Sequence, residues 1–331
     1  MTLKNSEIKE ICSNYNIGDI IKFKKFGQGV VNNNWLIITN KGKFVLRAVN
    51  EEKSINNIKS EFKYLNYLLK KGFNYKIPYQ LISKTNLLYQ IKGNQLFWIY
   101  QFIEGTIVKN SFSEKQLKEI AIMLSNLHLI IEKSDLKNIM NNKNFNIKGV
   151  INESLEQINE SLKEKNEFSK YYYLNAKKLM DIVKNLKYPK LETYPIHRDI
   201  NPENVVFKKN KLIGVIDFDN VSFFNEPLAK DIATLFSFYC FNKNDKNKLD
   251  LNLAKIFIKE YSKIRKLTQT EIKAIPALAI MGCLEDFNYE YWLFKNEPSK
   301  TNFEKLKLRF ETALWFYANN ETIVQELIKC I

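Results

Sequence analysis

The spacing of apolar and polar positions changes character partway along the chain. Residues 1–15 place Leu3, Ile8 and Ile11 at roughly helical spacing, which predicts a short helix. From Asp19 to Val49 the texture is β-like. Val30–Val31, Trp35–Thr39 and Phe44–Val49 are β-branched and aromatic runs, separated by Asn32-Asn33-Asn34 and Asn40-Lys41-Gly42. The second break is a hairpin turn, because Asn and Gly tolerate positive φ. Ser54–Lys71 then carries Ile58, Phe62, Leu65 and Leu69 on one face of a helix that stops at Gly72. Leu81–Gln90 and Gln95–Ile103 return to strand texture around the turn Lys92-Gly93-Asn94.

After Gly105 the pattern turns helical. Ser113–Glu132 predicts an amphipathic helix, with Ser113 as N-cap and Gln116 at the capping-box position. Lys133–Lys148 is polar and rich in Asn and Lys, which predicts a loop, and Ile151–Leu186 predicts mostly helix. Two short β runs, Val205–Phe207 and Leu212–Phe218, interrupt this half. Leu235–Tyr239, Leu251–Ile264, Thr270–Phe294 and Phe303–Tyr317 predict the remaining helices. No internal repeat occurs at solenoid periods. The expected fold class is α+β and bilobal. A small antiparallel-sheet lobe with one main helix spans residues 1–103, and a larger, mostly helical lobe spans residues 104–331.

Composition narrows the class. At roughly 150 residues per domain, 331 residues make about two domains or one bilobal unit, and 45% hydrophobic residues supply a packed core. The longest apolar stretches, Ile120–Leu124 with Leu127–Ile131 and Ile275–Leu284, are too short or too interrupted to span a membrane. Met1–Tyr15 has no apolar segment of a secretory signal. Cys12, Cys240, Cys283 and Cys330 form no Cys-x-x-Cys pair and no metal spacing. A reduced, cytoplasmic protein with no membrane partner is expected. The net charge of +15 raises the question of nucleic acid. The lysines, however, are scattered among asparagines and isoleucines, residue types that share AT-rich codons. No basic block interleaves with aromatics as single-strand binders require. No nucleic-acid partner is expected, while the charge suits a polyanionic ligand such as a nucleotide.

The chemistry concentrates in His197-Arg198-Asp199-Ile200-Asn201-Pro202-Glu203-Asn204, followed by Val205–Phe207 and Val215-Ile216-Asp217-Phe218-Asp219. This matches the kinase catalytic loop, H-R-D then four residues then N, with an Asp-Phe dipeptide after a β-hairpin. Phosphoryl transfer needs a carboxylate to orient or deprotonate the attacking hydroxyl, and oxygen ligands to hold magnesium against the phosphates. Asp199 is the expected base, and Asn204 and Asp217 the expected magnesium ligands, with ATP and Mg2+ as cofactors. One such Asp alone would read as a turn or helix cap. Four matches at fixed spacing on a loop–strand–turn–strand unit do not. Asp219 reads either as a further carboxylate of the site or as the cap of the following turn.

This segment resembles the aminoglycoside phosphotransferase and choline kinase superfamily, whose members share the protein-kinase bilobal fold. Pro227-Leu228-Ala229-Lys230-Asp231-Ile232-Ala233 resembles the stretch after that family's metal-binding Asp, which implies that Asp231 bonds the catalytic loop. The likeness covers roughly residues 15–300. It implies that Phe26–Asn33, with Gly27 and Gly29, is the nucleotide loop, although an ordinary hairpin turn fits the glycines equally. It also implies that Arg47 contacts the α- and β-phosphates where protein kinases use Lys, the alternative being a surface Arg on an edge strand. Glu61 is then the partner that positions Arg47, or else a solvated Glu on its helix face. Tyr100-Gln101-Phe102-Ile103-Glu104-Gly105 resembles the hinge, with backbone groups of Phe102 and Ile103 bonding adenine. His128 and His197 read as structural histidines, and no zinc site is expected.

Departures from the family patterns bear on the acceptor. Many small-molecule members carry His-Gly-Asp, whereas Arg198 stands here and keeps a protein-kinase reading open. Asp217-Phe218-Asp219 replaces Asp-Phe-Gly, and no Ala-Pro-Glu segment closes an activation loop. Both favour a small acceptor: an amino alcohol, sugar or aminoglycoside. The stretches Asn16–Asp19, Gly29–Trp35 and Gly42–Leu46 are similar to bacterial homoserine kinases and N-acetylhexosamine kinases of this superfamily. Leu284–Trp292 interleaves acids with aromatics. Glu285, Asp286 and Glu290 read either as an amine-binding set or as solvated acids on a helix that buries Leu284, Phe287 and Tyr291. The expected function is ATP- and magnesium-dependent transfer of the γ-phosphoryl group to a hydroxyl of a small molecule. The alternatives are a Ser/Thr protein kinase and a non-catalytic kinase-like binding protein; intact Asp199, Asn204 and Asp217 argue against the latter.

Overall fold

The computed structural model describes residues 3–26, 33–49, 53–108, 111–140, 142–144, 146–242 and 245–331. Its first half is a five-stranded antiparallel sheet with a helix on each face. The strands are β1 (Ile20–Lys25), β2 (Asn33–Thr39), β3 (Gly42–Ala48), β4 (Gln90–Lys92) and β5 (Gln95–Gln101), in the order β1-β2-β3-β5-β4. The reason for two covered faces is written in β3 and β5, whose consecutive apolar residues point alternately to either side. Leu46, Phe97 and Ile99 pack with Ile8 and Ile11 of α1 (Asn5–Ser13). Val45, Trp98 and Tyr100 pack with Ile58 and Phe62 of α2 (Ile55–Lys70). Ser54 caps α2, its hydroxyl accepting from the Asn57 amide at 3.2 Å.

The second half is helical around a few short strands. In chain order it contains β6 (Thr106–Ile107), α3 (Glu114–Glu132), α4 (Leu136–Ile139), β7 (Lys143–Asn144), α5 (Ile147–Ser161), α6 (Glu167–Asn185) and β8 (Tyr194–Pro195). It continues with β9 (Val205–Lys208), β10 (Lys211–Val215), β11 (Phe224–Glu226), α7 (Ala229–Phe238), β12 (Phe241–Asn242), β13 (Asp245–Leu249) and α8 (Leu251–Ser262). It closes with α9 (Gln269–Asn296), α10 (Phe303–Ala318) and α11 (Asn320–Ile328). Helix α9 is apolar nearly all round, and its side chains are buried from Ala274 to Leu284, so it forms the axis of this half. Among the described residues, no helix is long and apolar enough to cross a membrane.

The crossing between the halves is tight. β6 pairs with β9, Thr106 opposite Phe207 and Ile107 opposite Val206. Gly105 just before it lies so close that a Cβ there would sit 2.5 Å from Val206 Cγ1 and 2.7 Å from the Phe207 carbonyl oxygen. Further along, Lys76 bonds β10 through its amide to Ile213 and its carbonyl to Val215, both at 2.9 Å.

Several expectations from the sequence need correction. Leu81–Gln90 is not a strand until Gln90. The Leu81 amide bonds Ile99, but Ser83 and Leu87 then close a turn on themselves. Lys133–Lys148 contains α4 and the start of α5. The single helical stretch 151–186 is two helices, because Asn166 caps α6 by accepting from the Ser169 amide at 2.8 Å. Leu212–Phe218 leaves the ladder at Val215, before Asp217 turns to φ +66°. The run Leu235–Tyr239 is the end of a longer helix, α7. Val30–Val31 lies outside the described residues.

Candidate active site

The loop 196–204 connects β8 to β9, and every turn of it is held by a named bond. His197 is fully buried, donates from Nε2 to the Ile216 carbonyl at 3.0 Å, and accepts the Asp199 amide on Nδ1 at 3.3 Å. Asp231, one turn into α7, accepts the amides of His197 at 3.3 Å and Arg198 at 2.6 Å. The same carboxylate takes His128 Nε2 at 3.0 Å, while His128 Nδ1 meets the Tyr261 hydroxyl at 2.7 Å. A carboxylate only accepts, so Nε2 carries the proton and Nδ1 accepts from tyrosine. Burial lowers the His128 pKa, consistent with this neutral form.

The loop presents Asp199. Asn201 Nδ2 donates to Asp199 Oδ1 at 2.8 Å, and Asn204 Nδ2 donates to Oδ2 at 2.8 Å and to the Asp199 carbonyl at 2.9 Å. Burial raises the Asp199 pKa, partly offset by His197 and the Asn201 hydrogen bond. The Ile216 amide bonds the Asn204 carbonyl at 2.9 Å, which brings the strand leading to Asp217 alongside. Asp199, Asn204 and Asp217 therefore meet at one place.

Behind them lies a buried charge cluster. Arg47 of β3, 3% exposed, bonds Asp217 Oδ1 at 2.9 Å and also Asp219, and its guanidinium lies 5.7 Å from the Trp98 ring centroid. Burial works against its charge, but Asp219 and then Asp217 outweigh that and raise its pKa. Glu61 does lie in this cluster, but it pairs with Lys53, at 3.4 Å, and not with Arg47. The expected Arg47–Glu61 pair is thus replaced, because the Arg47 guanidinium is taken by Asp217 and Asp219 while Lys53 reaches α2 from the connection before it. Asp219 is engaged by Arg47 and Lys53, and its carbonyl accepts from Ser222 Oγ at 3.0 Å.

At the hinge, Phe102 donates its amide to Lys43 at 3.0 Å, so that group is not open to a base. The Phe102 carbonyl and the Ile103 amide have no backbone partner among the described residues. Phe26 stacks on Phe102, centroids 6.2 Å apart and planes within 16°. Gly27 and Gly29 lie outside the described residues.

The acids of α9 are not a free anionic set. Glu285 pairs with Lys230 at 2.8 Å and Arg198 at 3.3 Å, which hold its pKa below the ordinary value against burial. Asp286 pairs with Arg309 at 2.5 Å and Lys305 at 3.7 Å, with the same effect. Glu290 is buried against Lys305. Only Glu285 joins the catalytic loop, through Arg198, whose Nε also meets Glu226 at 2.6 Å. Tyr239 lies within electrostatic reach of Asp199, Arg309 and Asp286. The sequence reading missed Lys53, Glu226 and Arg309. In a chain this rich in lysine and acid, none of the three stands in a motif that would mark it.

Comparison with known proteins agrees with this architecture. Residues 22–264 match the family described as the phosphotransferase enzyme family. The homoserine kinase of Agrobacterium fabrum is 24% identical over 289 residues, covering 86% of this chain and 84% of its own. That of Rhizobium meliloti is 25% identical over 289 residues, covering 86% and 83%. In structure, spectinomycin phosphotransferase APH(9)-Ia, solved with ADP and spectinomycin, superposes with a TM-score of 0.70 at 15% identity over 97% of this chain and 99% of its own. A microcompartment-associated aminopropanol kinase does so at 0.64 and 12% identity, over 99% and 100%. The structural likenesses speak for the protein-kinase-like fold and the sequence match for kinship, and the chain belongs to the phosphotransferase enzyme family, as a kinase whose acceptor is a hydroxyl group of a small molecule.

Proposed function

We propose that the protein uses magnesium ATP to phosphorylate the hydroxyl of a small amino alcohol, in the cytoplasm, with residues 1–103 holding nucleotide and residues 104–331 holding catalytic loop and acceptor. The observation that carries this is the clamped Asp199 beside Asn204 and Asp217. Asn204 donates its side-chain nitrogen to Asp199, which leaves its oxygen for a cation. That oxygen and the Asp217 carboxylate are hard donors of the kind magnesium takes. Bound there, the metal would neutralise charge on the transferring phosphoryl group.

The chain's own residues do the rest. Asp199 accepts the acceptor's hydroxyl proton as that oxygen bonds to phosphorus and the bond to the ADP leaving oxygen breaks. Arg47 exchanges Asp217 for phosphate oxygens, which its planar fork suits. The Ile103 amide and Phe102 carbonyl offer a donor and an acceptor to a purine edge. Between Asp217 and α7 lie only a 3-10 turn (Asp219–Ser222) and β11, with no room for a peptide-binding activation segment. This supports a small acceptor over a protein.

The charges beside Asp199 favour the class. Arg198, next to Asp199 in the loop, pairs with Glu226 and Glu285, a mixed field that suits an acceptor carrying both signs over a polycationic aminoglycoside. The homoserine kinases among the relatives point the same way. The test is ADP release from magnesium ATP across homoserine, ethanolamine, choline, hexosamines, aminoglycosides and a generic protein. Homoserine or another amino alcohol should give the largest acceptor-dependent rate. A rate confined to aminoglycosides or protein would refute the class.

A further inference from the structure

Lys53 stands in the connection between β3 and α2, in the charged run Glu51-Glu52-Lys53. A lysine in such a run normally faces water, yet this one is buried, with 3% of its side chain exposed. Burial of an ammonium is tolerated only where partners replace its water. Its Nζ lies 2.9 Å from Asp219 Oδ1, 3.2 Å from the Asp219 carbonyl and 3.4 Å from Glu61 Oε2. It also lies 5.5 Å from the Phe223 ring centroid. Asn57, in the first turn of α2, adds a bond from Nδ2 to the Ser222 carbonyl at 3.0 Å. The start of α2 is therefore fastened to the turn that follows Asp217.

The sign of each group gives this fastening a use. Arg47 and Lys53 face Asp217, Asp219 and Glu61 in one buried cluster. A nucleotide phosphate that draws Arg47 away leaves Lys53 bridging Asp219 and Glu61. Without Lys53 those two buried carboxylates repel each other, and the Asn57–Ser222 bond is left to tie the turn after Asp217 to α2 against that repulsion. In protein kinases a single strand lysine serves both the phosphates and the helix glutamate. Here the two tasks fall to different side chains.

We propose that Lys53 is a positioning residue of the phosphoryl-transfer site: it braces Glu61 against Asp219 and so holds Asp217 and Arg47 in place for magnesium nucleotide. This rests on the reading of Asp217 as the nucleotide–metal carboxylate given above.

The experiment is calorimetric titration of the full-length protein with magnesium ADP, in wild type, Lys53→Met, Lys53→Arg and Asp217→Asn, alongside KM for magnesium ATP and the thermal midpoint. Lys53→Met should raise both Kd and KM by roughly tenfold, because only part of the cost of breaking a buried ion pair falls on nucleotide binding and the rest on the fold. Lys53→Arg, which keeps the charge, should stay within about threefold of wild type. Asp217→Asn should remove the magnesium-dependent part of binding. If Lys53→Met lowers the thermal midpoint but binds and turns over with wild-type Kd and KM, Lys53 is structural only and the proposal fails. If Asp217→Asn binds magnesium ADP normally, the underlying reading of the site fails, and the proposal with it. Should Lys53→Met not fold, Glu61→Gln removes the other end of the brace. It should raise Kd severalfold, and a wild-type Kd there overturns the proposal equally.

Discussion

Asp199 is a half-buried carboxylate with both oxygens held. Two asparagine amides fix its plane, and burial raises its pKa from the ordinary 3.8. A base must be ionised to accept a proton, so turnover should fall as pH drops through the folded-state pKa. Because that pKa is raised, the acid limb of kcat should lie above the ordinary aspartate range; a limb at or below it would remove Asp199 as the titrating group. Arg198 is a second instructive residue. Its φ of +67° is a conformation that favours glycine, the residue many relatives of this superfamily carry at that point. The strain costs on the order of 1–3 kcal/mol. In return the side chain neutralises buried Glu226 and bonds Glu285. Arg198→Gly should therefore destabilise despite relieving strain, by roughly 1–3 kcal/mol, since a broken buried pair costs about 3–5. Adding Glu226→Gln should recover most of the loss in urea unfolding. No recovery would mean that Glu226 is satisfied by other groups.

Elements were legible in the sequence where local chemistry and burial agree. Ser113 announces α3 and caps it as its spacing predicts, and Ser54, where the earlier helix was expected to begin, caps α2. The apolar run Gln95–Ile103 is buried on both faces and ends within two residues of β5. Legibility failed where apolar residues serve a loop. Leu81, Ile82, Leu87, Leu88 and Tyr89 give the segment a strand's texture, yet after the Leu81–Ile99 bond the chain turns on Ser83, and regular pairing with β5 resumes at Gln90–Lys92. The catalytic loop was readable because its residue types and spacing are set by chemistry. Lys53 was not, because a lysine's burial depends on Asp219, 166 residues away in sequence. The α9 acids were misleading for the same reason: their partners Arg198, Lys230, Lys305 and Arg309 come from other elements. Gly105 tests the element packing directly. Gly105→Ala would press a methyl into Val206 and the Phe207 backbone, and should destabilise by about 1–3 kcal/mol in urea unfolding. An unchanged midpoint would show that β6 can move off β9.

At the scale of the whole molecule, two core clusters clothe the N-terminal sheet, and a single larger one fills the helical half. The site lies where they meet. β3 brings Arg47 from the sheet, and the turn after β10 brings Asp217 and Asp219 from the helical half, so the charge cluster bonds the two halves. The net charge of +15 is not concentrated against this cluster, where acids and bases nearly balance. On the proposed function, this meeting point transfers phosphoryl to a small hydroxyl through Asp199. The most direct measurement is acceptor-dependent ADP release by wild type and Asp199→Asn, with magnesium ADP binding measured on the same samples. Asp199→Asn should bind nucleotide within about threefold of wild type while turnover falls by on the order of 10²–10⁴. Turnover retained in Asp199→Asn, with nucleotide binding intact, would contradict that role.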